Sequence, residues 1–199
     1  ITSRTGEAGL ALKGGTIVTV CIGANNLLGP VINAVANAYG LDSSAPDFLT
    51  TLQGKIAANP AQWNTVLTQL YFSALFGQLH QDLDKGVADF NADWPLIING
   101  IKNKAPGAQI LALTIYDPLP MDNQFYNILN PLIVSINKTI TSQAVKSGYK
   151  VADIYTDFKL STESPVSFDI NAGNFDPHPN DLGHEIIFED LKTKVKLPR

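Results

Sequence analysis

The chain is short of cysteine, methionine, charge and long apolar runs, and each shortage closes off a class of explanation. A single cysteine excludes an internal disulfide and leaves the redox compartment open. Cys21 lies in a β-branched apolar run, where a small buried hydrophobe is expected rather than a reactive thiol. With 14 Lys and Arg scattered along a chain of formal charge -4, there is no basic patch to neutralise phosphates, and no nucleic-acid partner is expected. The longest apolar runs, Thr16 to Ile22 and Ile110 to Ile115, fall far short of the roughly 20 residues that cross a bilayer, so no stable membrane insertion is expected. Neither a Gly-x-Ser-x-Gly elbow nor a Gly-rich phosphate loop is present, and the histidines lack zinc-ligand spacing; no metal or cofactor is implied. The start Ile1-Thr2-Ser3 lacks methionine, so the expectation is that an upstream segment has been removed.

What is there alternates. The 199 residues, 45% hydrophobic, suit a single domain over 1–199. Thr16 to Ile22, closed by Gly23, is apolar on both faces, as a parallel strand covered by helices must be. Gln109 to Tyr116 reads the same way after the turn Ala105-Pro-Gly107. Tyr149 to Tyr155 is a third strand, after Gly148 as a helix C-cap. Between them the apolar period becomes helical: Trp63, Val66, Leu67, Leu70 and Tyr71; then Leu79, Leu83, Val87, Phe90, Trp94 and Ile97; then Leu129, Leu132, Ile133, Ile136 and Ile140. Ile186, Ile187, Leu191 and Val195 mark a last helix. Residues 30–60 read as short helices covering one end of the sheet, and Leu160 to Phe175 as a long loop. This βαβα order implies an α/β fold with a parallel sheet between helices.

In such sheets ligands gather at the carboxyl ends of the strands. The first strand ends in Gly23-Ala24-Asn25-Asn26, where a glycine admits close approach and the amides are neutral donors suited to an oxyanion. Ordinary turn chemistry explains the same four residues equally simply. The loop before the last helix reads Asp176-Pro177-His178-Pro179-Asn180-Asp181-Leu182-Gly183-His184. Asp176 and His178 each precede proline, which favours extended backbone and puts residues two apart on one side. A carboxylate that fixes the imidazole tautomer makes a general base. Asn180 or Asp181 is the expected cap of the helix that follows. Asp181 and His184 form a second candidate pair, while His80 reads as a surface or partly buried helical residue. Asn137-Lys138-Thr139 matches a glycosylation acceptor inside a helical pattern and is read as chance.

Together these stretches resemble the GDSL (SGNH) ester hydrolases. Ile17 to Leu28, IVTVCIGANNLL, is similar to that family's third block, and Asp176 to His184, DPHPNDLGH, to its fifth. PGAQILALTIYDP, ending at Pro118, and VADIYTDF, Val151 to Phe158, resemble the fourth and fifth strands of bacterial lipase-like members. The resemblance implies a three-layer α/β/α flavodoxin-like fold, with Asn25 and Gly23 at the oxyanion, His178 as base and Asp176 as its orienting acid. It implies hydrolysis of lipid or short acyl esters without cofactor, and a secreted or cell-surface location.

The sequence departs from the family pattern in three places. Asn26 stands where the family has Asp, and Asp176 is two residues before His178 where three is commoner. The Gly-Asp-Ser block with the nucleophile is absent, as is the glycine of the second block. Ser43, in Gly40-Leu-Asp-Ser43, follows a helical patch and not a strand, so it is a poor substitute. The expectation is therefore that Ile1 to Leu12 leads into the helix before the third family strand, and that a missing N-terminal segment, cleaved off or never included, carries the serine. A non-catalytic binding or scaffolding relative is the alternative.

Overall fold

A computed structural model describes residues 16–169 and 176–195. Three short strands, β1 (Ile17–Val20), β2 (Gln109–Leu113) and β3 (Lys150–Ala152), pair in parallel in the order β1-β2-β3. Val20 lies opposite Ala112 and Leu113 opposite Ala152, so the strands leave the sheet almost level. Around them lie α1 (Ala24–Tyr39), α2 (Phe48–Ala58), α3 (Pro60–Phe76), α4 (Gln78–Lys104), α5 (Tyr126–Ser142), α6 (Ala144–Ser147), α7 (Ile154–Leu160) and α8 (Asp181–Lys194).

Strand alternation sorts the core into two parts. Ile110 and Ala112 of β2 point into the larger cluster with Leu27, Phe90, Trp94, Ile136 and Ile140 from α1, α4 and α5. Leu113, on the opposite face, packs with Ala152, Ile154, Phe158 and Val166, against Ile186, Ile187 and Leu191 of α8. The three layers expected from the sequence are thus present. Trp94 is fully buried, and its ring N–H donates to the Tyr149 hydroxyl at 2.9 Å, so the largest core side chain leaves no polar atom unpaired.

Several boundaries move. The first strand stops at Val20, and Cys21 beyond it is exposed, not the buried hydrophobe expected. The third strand ends at Ala152 because the Asp153 side chain accepts from the Thr156 N–H and starts α7, taking Ile154 and Tyr155 into a helix. That helix runs to Leu160, where a loop was expected to begin. The end of that loop, residues 170–175, and the lead-in over Ile1 to Leu12 lie outside the described residues. Gly148 does sit in the left-handed region, at φ 64°, closing α6. In place of several short helices, residues 24–58 form α1 with Pro30 inside it, then α2.

A close contact between α1 and α4 lies beside that proline. Pro30 has no N–H for the carbonyl of Asn26, its partner four residues back. That carbonyl instead faces Gly86 of α4, so closely that a Cβ on Gly86 would lie 2.0 Å from it. Asn26 Nδ2 also donates to the Gly86 carbonyl at 3.0 Å. Gly86→Ala adds about 1 kcal/mol of helix propensity, but the clash is with backbone and forces the helices apart. The expected result is net destabilisation of about 2 kcal/mol or more, read by urea unfolding; a more stable variant would show that the helices are not in contact there.

Candidate active site

Where a parallel strand leaves its sheet, its backbone loses the partners that the ladder supplied and must find others. After β2 the chain runs on through Thr114, Ile115, Tyr116 and Asp117, and side chains supply those partners. Asn137 of α5 clamps Ile115: the Ile115 N–H donates to Oδ1 and Nδ2 donates to the Ile115 carbonyl, both at 2.8 Å. Asn137 is buried, which fits the reading of its glycosylation pattern as chance. Thr114 Oγ1 donates to Asp153 at 3.1 Å and accepts from the Tyr155 N–H at 2.9 Å, tying β2 to the start of α7. Asp117 accepts from the Leu119 N–H and from Asn130 Nδ2, which also donates to the Tyr155 hydroxyl. Burial pushes the Asp117 carboxyl above its ordinary range despite those donors and the charge of Lys159.

Tyr116 reaches further. Its hydroxyl donates to the carbonyl of Pro177 at 2.7 Å, so the loop bearing Asp176 and His178 is tied to the carboxyl end of β2. The same loop is fixed from its other side by a bridge between Val166 and Pro179, and by Asn180, whose N–H donates to Pro165 and whose side chain donates to Ser164. Asn180 also accepts from the Gly183 N–H and caps α8, one of the two caps the sequence offered.

Within the loop the predicted pair meets. His178 Nδ1 lies 2.5 Å from Asp176 Oδ1, and the His178 N–H donates to the same oxygen at 3.1 Å. Those two donors hold the Asp176 carboxyl below its ordinary range. An ionised carboxylate can only accept, so in the neutral ring the hydrogen sits on Nδ1 and Nε2 keeps its lone pair. Both side chains stand open to solvent, His178 82% and Asp176 64% exposed.

Gly23 and Asn25 occupy the carboxyl end of β1. Gly23 is buried with φ 116°, and a Cβ there would meet Phe90 at 2.9 Å and Ile136 at 3.2 Å, so no other residue fits that exit. Asn25 is exposed in the first turn of α1, while Asn26 is used in packing. An aspartate at 26 would put an acceptor against the Gly86 carbonyl, which is a physical reason for the amide. Tyr116 feels both ends of the site electrostatically. Burial raises its pKa to about 12, and the charges of Cys21, two residues before Gly23, and of Asp176 add to the shift.

The other candidates lie apart. Ser43 follows α1 in the chain and donates to Asn33, in the second half of that helix, not to either residue of the pair. His184 is exposed in the first turn of α8 and makes no hydrogen bond to Asp181 among the described residues. His80 pairs with Asp84 on the surface of α4. Asn137, Tyr116 and Thr114 were not expected to matter. A polar residue on the apolar stripe of Ile133, Ile136 and Ile140 is the signal that marks Asn137.

The model of the GDSL-like Lipase/Acylhydrolase family matches residues 2–186. No curated protein and no solved structure matches the chain.

The sign of the acid titration follows from the depressed Asp176 pKa. The contact with His178 is in place above the usual carboxylate range and is lost as pH falls through the lower folded value. A carboxyl-carbon NMR titration is expected to give a midpoint below about 3.9. A midpoint at or above that value would mean that the pair is not formed in solution.

Proposed function

The chain belongs to the GDSL-like lipase/acylhydrolase family, and from that premise we propose that it supplies the base, acid and oxyanion donor of a serine ester hydrolase. One observation carries the reading: the 2.5 Å contact between His178 and Asp176, in a loop tied to the chain leaving β2 at the end of the sheet where β1 leads to Gly23 and Asn25.

In this mechanism a serine hydroxyl attacks the acyl carbonyl as its proton passes to His178 Nε2. Asp176 stabilises the imidazolium, and Asn25 donates to the oxygen that becomes negative. Collapse of the tetrahedral species breaks the ester C–O bond, and His178 returns the proton to the departing alcohol. Water then adds to the acyl-enzyme, giving up a proton to the same nitrogen, and the acid leaves as the serine is regenerated. The residues named here supply every step except the nucleophile.

We place the serine on a cleaved N-terminal segment whose strand pairs in parallel with β1. The support is that β1 is an edge of the sheet among the described residues, and its run from Thr16 to Ile22 carries neither charge nor proline to blunt it. Acyl-rich substrates suit the surroundings. Between residues 16 and 81 the charged residues are Asp42, Asp47 and Lys55, and α3 presents Phe72 and Phe76, the latter 81% exposed, at its carboxyl end. The domain is read as one unit over 1–199, secreted or at the cell surface.

Assays of the chain alone and of the full-length protein test this. The chain alone should cleave nitrophenyl esters no faster than background. In the full-length protein, His178→Ala should cost several orders of magnitude in kcat and Asn25→Ala on the order of 10²- to 10³-fold, with His184→Ala near wild type. Damage from His184→Ala and none from His178→Ala would move the site. A full-length protein without turnover would favour a binding or scaffolding role.

The edge has its own readout, because Cys21 is exposed just past β1. A maleimide should label it more slowly in the full-length protein than in this chain. Equal rates would mean that no upstream strand covers it.

A further inference from the structure

We propose that Tyr116 is a positioning residue whose hydroxyl sets where the Asp176–His178 pair stands over the carboxyl end of the sheet. The proposal rests on the reading of His178 as the base.

The bond between Asp176 and His178 spans two residues, so it orients the ring relative to its acid and says nothing of where the pair sits. A ring 82% exposed has little packing to place it either. Position has to come from the backbone on which both residues hang. Pro177 lies between them, and its carbonyl accepts the Tyr116 hydroxyl at 2.7 Å. The bonds at Pro179 and Asn180 run to residues 164–166, a stretch between helices, whereas the bond from Tyr116 runs to the segment that leaves the central strand β2.

Tyr116 is well placed to serve as a fixed post. The preceding residue is clamped by Asn137 through two hydrogen bonds. The phenol packs on Phe158 with ring centroids 4.5 Å apart, and Phe158 in turn fills the space that a Cβ on Gly183 would enter, at 3.2 Å. The post is therefore held by α5, by α7 and by the start of α8. Burial keeps its hydroxyl protonated, hence a donor, across any working pH. The loop of the base is thereby fixed to the chain that leaves β2, the strand paired in parallel with the one that leads to Gly23 and Asn25. A positioning error of about 1 Å between reacting groups is enough to cost on the order of 10²-fold in rate.

Tyr116→Phe removes the donor and keeps the ring. In this chain it should leave the melting temperature within a few degrees and keep the Asp176–His178 bond, seen as the strongly shifted Nδ1 proton. Amide exchange at His178 and Asn180 should rise about tenfold once the loop is released. In the full-length protein kcat should fall about 10- to 100-fold with KM within about twofold, and the midpoints of the pH profile should not move, since the base itself is unaltered. Unchanged exchange overturns the tether. Unchanged kcat, or a loss matched by KM or by unfolding, overturns the positioning role. If the wild-type full-length protein hydrolyses no ester, the hydrolase reading fails, and the exchange rates alone still decide whether Tyr116 holds the pair.

Discussion

The exit of β2 is the constraint on which the rest of this structure turns. Backbone that leaves a parallel sheet carries polar groups with no ladder left to satisfy them, and burying them unpaired costs about 1–3 kcal/mol each. Here Asn137 satisfies Ile115, Asn130 and the Leu119 N–H satisfy Asp117, and Thr114 joins Asp153 and Tyr155. Each bond draws a different element to the same few residues. Helices α5 and α7 and the loop before α8 are thereby positioned by one stretch of chain, and the candidate base is fixed by the solution to a folding problem.

Much of the architecture was legible because it follows from periodicity. Runs such as Thr16 to Ile22 and Gln109 to Tyr116 are largely apolar on both faces, and Leu79, Leu83, Phe90 and Trp94 recur at helical spacing, so the layers and their order could be read directly. The ends of elements were not legible, since they depend on single bonds: Asp153 turns what reads as strand into helix by accepting the Thr156 N–H. Pro30, Pro95 and Pro131 lie inside helices that tertiary packing sustains, and local propensity argues against each.

The candidate site divides along the same line. Asp176 and His178 could be paired from sequence because their interaction is local and proline-flanked. Tyr116 lies 61 residues from its partner Pro177, and Asn26 lies 60 from Gly86, separations at which no spacing rule operates. The exposure of Cys21 was missed for a related reason. Its apolar neighbours predict burial in a complete sheet, while its actual environment depends on whether another strand lies outside β1.

The candidate pair is both exposed and tied in place. His178 and Asp176 are largely in water, where a single hydrogen bond contributes little and screening weakens the charge. Rigidity must come from elsewhere, and the sequence places it in neutral groups that are buried or partly so: the Asn137 amide, the half-buried Tyr116 phenol and the close contact of Gly183 with Pro165 and Phe158. A neutral donor such as the phenol costs less to bury than a lysine would, and burial strengthens its hold on the proton. The candidate pair can then remain in solvent while the groups that tie its loop in place are partly or fully withdrawn from it.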